Sequence, residues 1–386
     1  MRKIWFLAVV IFAILWLRLP IPTVARAQFF APALAPNTVA GSVGYSYYRA
    51  ITLNAATYNP ATQTNFPVLV CANGSGVCNA SVVGLNQSGG GAHVKNSSGY
   101  DVTFWTSSSC TGSVSWEMEN YVAATGEMEA WVLIPTLGTS NQTIYMCYGN
   151  AGISTFQGGA AGAAWNANFA GVYHLNGSGP SVNDSTSNAS NGTIVGSVTA
   201  VTGNIDGGAG LSGSSTYITL PSAIAVVIGK TPTAWTISQW VNFSSSTAIQ
   251  QTFGGIPYSG FPDLGIGVGG CGSLLYMVVG QTSCLGSTSV PSTSAWHLLT
   301  WTYAGTSNIL YVDGVSAATG AFYWEGGDTS GGTIGIGGNG GLAAGMSGST
   351  DELEISSVAL SPNWITAQVN NQSSPSTFET FGSEVP

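Results

Sequence analysis

Three groups of acids stand at spacings that could do chemistry. Glu117 and Glu119 lie at i and i+2, Glu127 and Glu129 repeat the spacing, and Asp351, Glu352 and Glu354 form a third group. On a strand, residues i and i+2 face one side. Each group could therefore offer two carboxylates to one ligand. Glycoside hydrolysis needs such a pair, one to protonate the leaving oxygen and one to act as nucleophile or to activate water. The plainer reading is the solvent face of a sheet, where polar residues alternate with core residues, and that reading is expected for all three groups. His174 in "VYHLNG" and His297 in "WHLLTW" are flanked by strand residues and are expected to be hydrogen-bonded at a sheet face. No G-x-S-x-G elbow, phosphate loop or dinucleotide fingerprint accompanies them.

Two other ligand chemistries have candidates. Calcium takes six to eight oxygens, and "NDSTSNASN" (183–191) offers Asp184, Asn188 and Asn191 in one loop. An Asx-turn at Asp184 would explain the same residues. Sugars stack on exposed aromatic planes. "GAFYWEGGDTSGG" (320–332) gathers Phe322, Tyr323, Trp324, Glu325 and Asp328. Neighbouring residues in an extended segment face opposite sides, so at least one of the three rings should be exposed. "IPYSGFPDLG" (256–265) offers Tyr258 and Phe261 in the same way.

The frame that must position these residues is all-β. The chain has 386 residues and 53 glycines, with 44% hydrophobic but only 6% charged residues. Disorder has the opposite composition. Only 7 residues are Lys or Arg against 16 Asp and Glu, so no basic face exists for nucleic acid. Arg2 and Lys3, the apolar run Ile4–Leu17 and Ala25-Arg26-Ala27 have the layout of an export signal cleaved after residue 27. Residues 28–44 read as a linker. Runs such as "YYRAITLN" (47–54), "FPVLV" (66–70), "MEAWVLIP" (128–135), "AWTISQWVNF" (234–243) and "WHLLTWTYAG" (296–305) are strand-length and bounded by Gly, Asn and Ser. They fall into an all-β region at 45–155, a Gly/Ala-rich seam at 156–169 and a second all-β region at 170–383. "YVDGV" marks a hairpin turn. One helix is expected, capped by Ser361 with Pro362 in its first turn.

Six cysteines in an exported chain read as disulfides. With bridges kept within each region, Cys271 pairs with Cys284. Cys71 and Cys78 bracket a short turn, which leaves Cys110 with Cys147. Each bridge is worth roughly 2–4 kcal/mol.

The second region resembles the laminin-G-like, concanavalin A-like jelly-roll family. The resemblance rests on "VYHLNG…DSTSNASNGT" (172–193), "GAGLSGSSTYITLP" (208–221), "WTISQWV" (235–241), "WHLLTWTYAGTSNILYVDGV" (296–315) and "GSTDELEISSVALSPNWITAQVNNQSSPSTF" (348–378). It implies a jelly roll with a short C-terminal helix, and a calcium tying Asp184 in an early loop to Asp351 on a late strand. The glucanase spacing E-x-D-x-x-E is absent from all three acid groups. The first region is similar to the bacterial domain of unknown function family 2341, on "YYRAITL", "TNFPVLV", "GYDVTFW", "WEMENYVAATGEMEAWVLIPTL" and "TIYMCYGNA", with 71–98 enlarged. That resemblance implies a second sandwich and no particular activity.

The expectation is two antiparallel β-sandwiches outside the cell. They would form a non-catalytic binding or adhesion protein recognising a glycan or a cell-surface protein. A structural assembly component and a secreted glycoside hydrolase or lyase are the alternatives.

Overall fold

The computed structural model describes residues 44–386, apart from 59–60, 75–76, 177–180, 214, 230–232, 257–263, 280–283, 323–331 and 339–344. The expected export signal and linker, and Tyr258, Phe261, Tyr323, Trp324, Glu325 and Asp328, lie outside the described residues.

The fold is all-β, with four antiparallel sheets and a short C-terminal helix. In the first region, Gln63–Ala72, Glu127–Leu137 and Trp116–Val122 form one sheet in that order. Tyr47–Leu53, Gln142–Tyr148 and Thr103–Trp105 belong to the other. The second region is built as a jelly roll from two larger sheets. One centres on Ala234–Phe243, between Ser347–Ser356 and Trp296–Ala304. The other runs through Gln250–Ile256, Thr333–Ile336 and Tyr217–Leu220. Trp235, Ile237, Trp301 and Tyr303 from the first of these bury fully against Phe253, Ile266 and Ile336 from the second.

Local chemistry sets the turns and ends. Asp313 and Gly314 both have positive φ (49° and 78°) between paired Val312 and Val315, as a tight hairpin requires. Ser361 accepts a hydrogen bond from Trp364 N–H at the start of helix Pro362–Ser373. Ser361→Ala should destabilise the chain by about 1 kcal/mol in urea unfolding. The helix Ser222–Gly229 is an addition to the expected elements. Its sequence, SAIAVVIG, is apolar, and Ile224, Ala225 and Ile228 pack it into the core. All three expected disulfides are present: Cys71–Cys78, Cys110–Cys147 and Cys271–Cys284.

The chain's end returns to its beginning. Glu379–Phe381 pairs with Tyr47–Leu53, and Val385 exchanges backbone hydrogen bonds with Tyr48. The last residues therefore pack with the first region, inside a stretch expected to belong wholly to the jelly roll. They also protect an edge. Gln63–Ala72 is the outer strand of its sheet, and its open N–H groups need partners. Asn371 Oδ1 accepts from Leu69 N–H at 2.7 Å, and Glu379 Oε1 accepts from Cys71 N–H at 3.0 Å. Trp364, Ala367 and Phe378 complete the first region's core.

Candidate functional site

Glu117 and Glu119 are not on a solvent face. From the strand Trp116–Val122 they meet His174, which also meets Glu352 on the late strand Ser347–Ser356, and that strand pairs with Phe169–Tyr173, the first strand of the second region. His174 follows directly on Phe169–Tyr173 and meets the acids of both neighbours. Its Nδ1 lies 2.9 and 3.0 Å from the two oxygens of Glu352 and 3.4 Å from Glu119 Oε2. Its Nε2 lies 3.6 Å from Glu117 Oε1. The side chains of Glu119 and Glu352 have no exposure, whereas that of Glu117 is 26% exposed. Asp351 and Glu354 are buried beside them. The register shifts at Glu119 and at Glu352, so a bulge in each strand, and not the period-two spacing alone, brings these acids together. Their burial is a tertiary fact, and it overturns the solvent-facing reading.

A bulge turns Glu352 toward the histidine. Ser238 pairs with Glu354, but Trp240 pairs with Asp351, so the late strand carries one extra residue. Glu352 takes φ 45°, uncommon for a residue with a side chain. Tryptophans fix the other groups. Trp131 Nε1 donates to Glu119 Oε2 at 2.8 Å, and Trp165 Nε1 donates to Glu117 Oε2 at 2.7 Å. Ser185 Oγ donates to Glu117 Oε1 at 2.7 Å. The Trp131 ring stacks on the imidazole with centroids 5.8 Å apart.

These surroundings drive the acids apart. Burial and the Glu352 charge push Glu119 well above the carboxylate range. Burial acts on Glu117 in the same direction, but the approach and charge of His174 and the bonds from Ser185 and Trp165 outweigh it and hold Glu117 below its ordinary value. Burial also opposes charge on His174, yet the Glu352 and Glu119 charges raise it well above an ordinary histidine. Burial and Glu352 push Glu354 up to about 7. A second group lies nearby. Asn120 Nδ2 donates to both Glu129 and Asp206, and burial followed by the Asp206 charge pushes Glu129 up to about 8.

A cleft of about 670 Å³ opens over the exposed end of this cluster. Tyr100, Trp116, Tyr121 and Phe156 wall it, and Glu117 and Ser185 lie along it. Tyr121 packs across Gly99, where an added Cβ would come within 2.7 Å of its ring, and donates its hydroxyl to Leu85 O. Phe156 meets Trp116 edge-on with centroids 4.5 Å apart and remains 36% exposed. Sequence reasoning missed these aromatics. They come from separate loops and one strand, with no local spacing to join them.

The other expected site residues are placed as follows. Asp184 shapes a wall of the cleft. Its Oδ1 accepts from Val172 and Thr186 N–H, and its Oδ2 from Ser190 N–H and the Thr186 hydroxyl. Four donors occupy the roughly four acceptor positions of this carboxylate, the pattern of an Asx-turn anchor. Asn191 Oδ1 accepts from Asp184 N–H, and Asn188 Nδ2 donates to the carbonyls of Phe169 and Ala170. Asp351 Oδ2 accepts from Asn204 and Ile205 N–H. No described contact joins Asp351 to the 184–191 loop. Phe322 is half-buried and packs against the jelly-roll core. His297 is hydrogen-bonded at its sheet as expected, between Asp313 at 2.7 Å and Ser292 at 2.9 Å.

Comparison with known proteins bears on the second region. Residues 212–366 match the family model described as the concanavalin A-like lectin/glucanases superfamily. No curated protein matches the chain. Among solved structures it is similar to domain 4 of AbnA, an extracellular GH43 arabinanase from Geobacillus stearothermophilus in complex with arabinotriose. That match has 21% identity over 53% of this chain and 98% of that one, with a TM-score of 0.45. Trypanosoma rangeli sialidase matches at 14% identity over 64% of this chain and 42% of that one, with a TM-score of 0.43. The receptor binding domain of the botulinum neurotoxin C/D mosaic serotype matches at 14% over 53% and 51%, with a TM-score of 0.41. No helix among the described residues is long and apolar enough to cross a membrane.

Proposed function

We propose that the protein is exported and binds a neutral, hydroxyl-rich carbohydrate in the cleft beside Glu117, without transforming it. The cleft is the observation that carries this reading: its volume of about 670 Å³ falls within the range of small-ligand sites. The exposed ring of Phe156 offers an apolar plane for the C–H face of a sugar. The low-lying carboxylate of Glu117 accepts from hydroxyl groups, and an anionic ligand would be repelled by the same group. Three disulfides support an oxidising destination, and the description of the family matched at 212–366 supports a carbohydrate ligand.

Affinity electrophoresis of the chain in gels containing neutral polysaccharides tests the reading. Retardation is expected, and Phe156→Ala should weaken it about tenfold, equivalent to ~1.4 kcal/mol, with the melting temperature preserved. Loss of retardation in Trp324→Ala but not in Phe156→Ala would move the site to the jelly-roll loops. No retardation in any polysaccharide removes the reading.

Glycoside hydrolysis is kept as a second reading on one observation. The surroundings of Glu117 and Glu119 push the two carboxyls in opposite directions, Glu119 up by burial and the Glu352 charge and Glu117 down by its donors, as in an acid and its partner base. Release of reducing ends from a retained polysaccharide, abolished in Glu117→Gln, would establish it.

A further inference from the structure

We propose that Glu119, His174 and Glu352 hold a divalent transition-metal cation, of the zinc or manganese class, beneath the cleft. The side chains of Glu119 and Glu352 are wholly buried, and Asp351 and Glu354 flank them. Among the described residues, the one basic group touching these acids is His174. Buried acids are stable when they are protonated, paired or coordinate a metal, and a cation would hold Glu119 and Glu352 together as carboxylates.

The distances fit coordination. Ligand atoms about 2.05 Å from a common metal lie about 2.9 Å apart at a right angle and about 3.4 Å apart at the tetrahedral angle. His174 Nδ1 lies 2.9 Å from Glu352 Oε2 and 3.4 Å from Glu119 Oε2. The ligand atoms of the three residues all fall within 4.8 Å of one another. A separate observation points to a missing partner. Glu119 Oε1 is fully buried and has no hydrogen-bond donor, while Oε2 is held by Trp131.

A metal-bound imidazole presents its other nitrogen to a carboxylate or carbonyl. His174 Nε2 is buried without a hydrogen bond, and the carboxylate nearest to it is Glu117 at 3.6 Å, which Ser185 and Trp165 hold. Imidazole favours zinc-like ions over calcium, and the carboxylates also suit manganese. This site is separate from the calcium set read from the sequence, and it stands whether or not the cleft binds sugar.

The test uses the full chain, stripped with a chelator and dialysed separately against Zn²⁺, Mn²⁺ and Ca²⁺. Metal content is read by mass spectrometry and affinity by titration calorimetry. One Zn²⁺ or Mn²⁺ per chain is expected. Glu352→Gln and His174→Gln should each lower affinity at least 100-fold, and Glu117→Gln about 10–100-fold at unchanged stoichiometry. Should the variants fail to fold, Co²⁺ added to the unmodified chain gives an independent readout, since d–d absorption bands of an N/O site must appear. Retention of Ca²⁺ alone, absence of any bound metal and of Co²⁺ bands, or unchanged affinity in folded variants each overturns the proposal.

Discussion

Raising the pH from 5 to 9 should lower the melting temperature of the chain by roughly 5 °C. Glu129 is one source. Its ordinary value is 4.5, and burial, with the Asp206 and Glu127 charges, pushes it up to about 8 in the folded chain. Below about 4.5 the proton is held in both states and the contribution to stability is complete. Between the two values the unfolded chain has ionised while the folded chain keeps its proton, so stability falls as pH rises. Above about 8 the loss is complete. At 1.36 kcal/mol per unit the full span corresponds to about 3–5 kcal/mol, or roughly 5 °C for a domain of this size. Burial also pushes Glu379 well above its ordinary value, against the donors Cys71 N–H and Asn79, and it acts in the same direction. Calorimetry across this range provides the check, and Glu129→Gln should flatten the slope. A melting temperature that is level or rises toward pH 9 would contradict the account.

Phe378→Ala should destabilise the whole chain by about 3–5 kcal/mol, the usual cost of emptying a fully buried phenylalanine site. The ring has no exposure and packs on Tyr58 with centroids 5.2 Å apart. Its carbonyl accepts from Asn54 N–H at the end of the first strand. The same segment carries Gly382 O, which accepts from the buried Arg49, and Glu384, which pairs with Arg49 and His93. The effect should extend to the second region. The helix Pro362–Ser373 holds Leu69 through Asn371, and through Gln372 it holds Glu354 and Trp240. The described residues belong to one compact unit. Urea unfolding followed by tryptophan fluorescence and by far-ultraviolet circular dichroism should give coincident transitions in both proteins. A first region that melts while the jelly roll stays folded would refute this coupling.

What the sequence made legible was local. Alternation gave the strands Tyr47–Leu53, Ala234–Phe243 and Trp296–Ala304 to within a residue or two. Asp313-Gly314 gave a turn, Ser361 and Pro362 a helix start, and the spacing of cysteines gave the bridges. Each of these depends on neighbours a few residues away or on a small number of pairings. The carboxylate–histidine cluster depends on residues 117, 119, 174 and 352 meeting across three strands. Period-two reasoning shows which side chains share a face but not what covers that face. The bulge at Glu352 has no sequence signal, because its positive φ is imposed by the sheet on a residue that does not favour it. The cleft walls were hidden for the same reason. Phe156 lay in a stretch read as a seam, and Tyr100 beside a short strand.

The pairing of Glu379–Phe381 with Tyr47–Leu53 governs when the chain can mature. One edge of Tyr47–Leu53 is covered only when residues more than 300 positions later in sequence dock beside it. Long-range closures of this kind are slow. Until that closure is made, the first sheet displays a bare strand edge that is open to proteolysis.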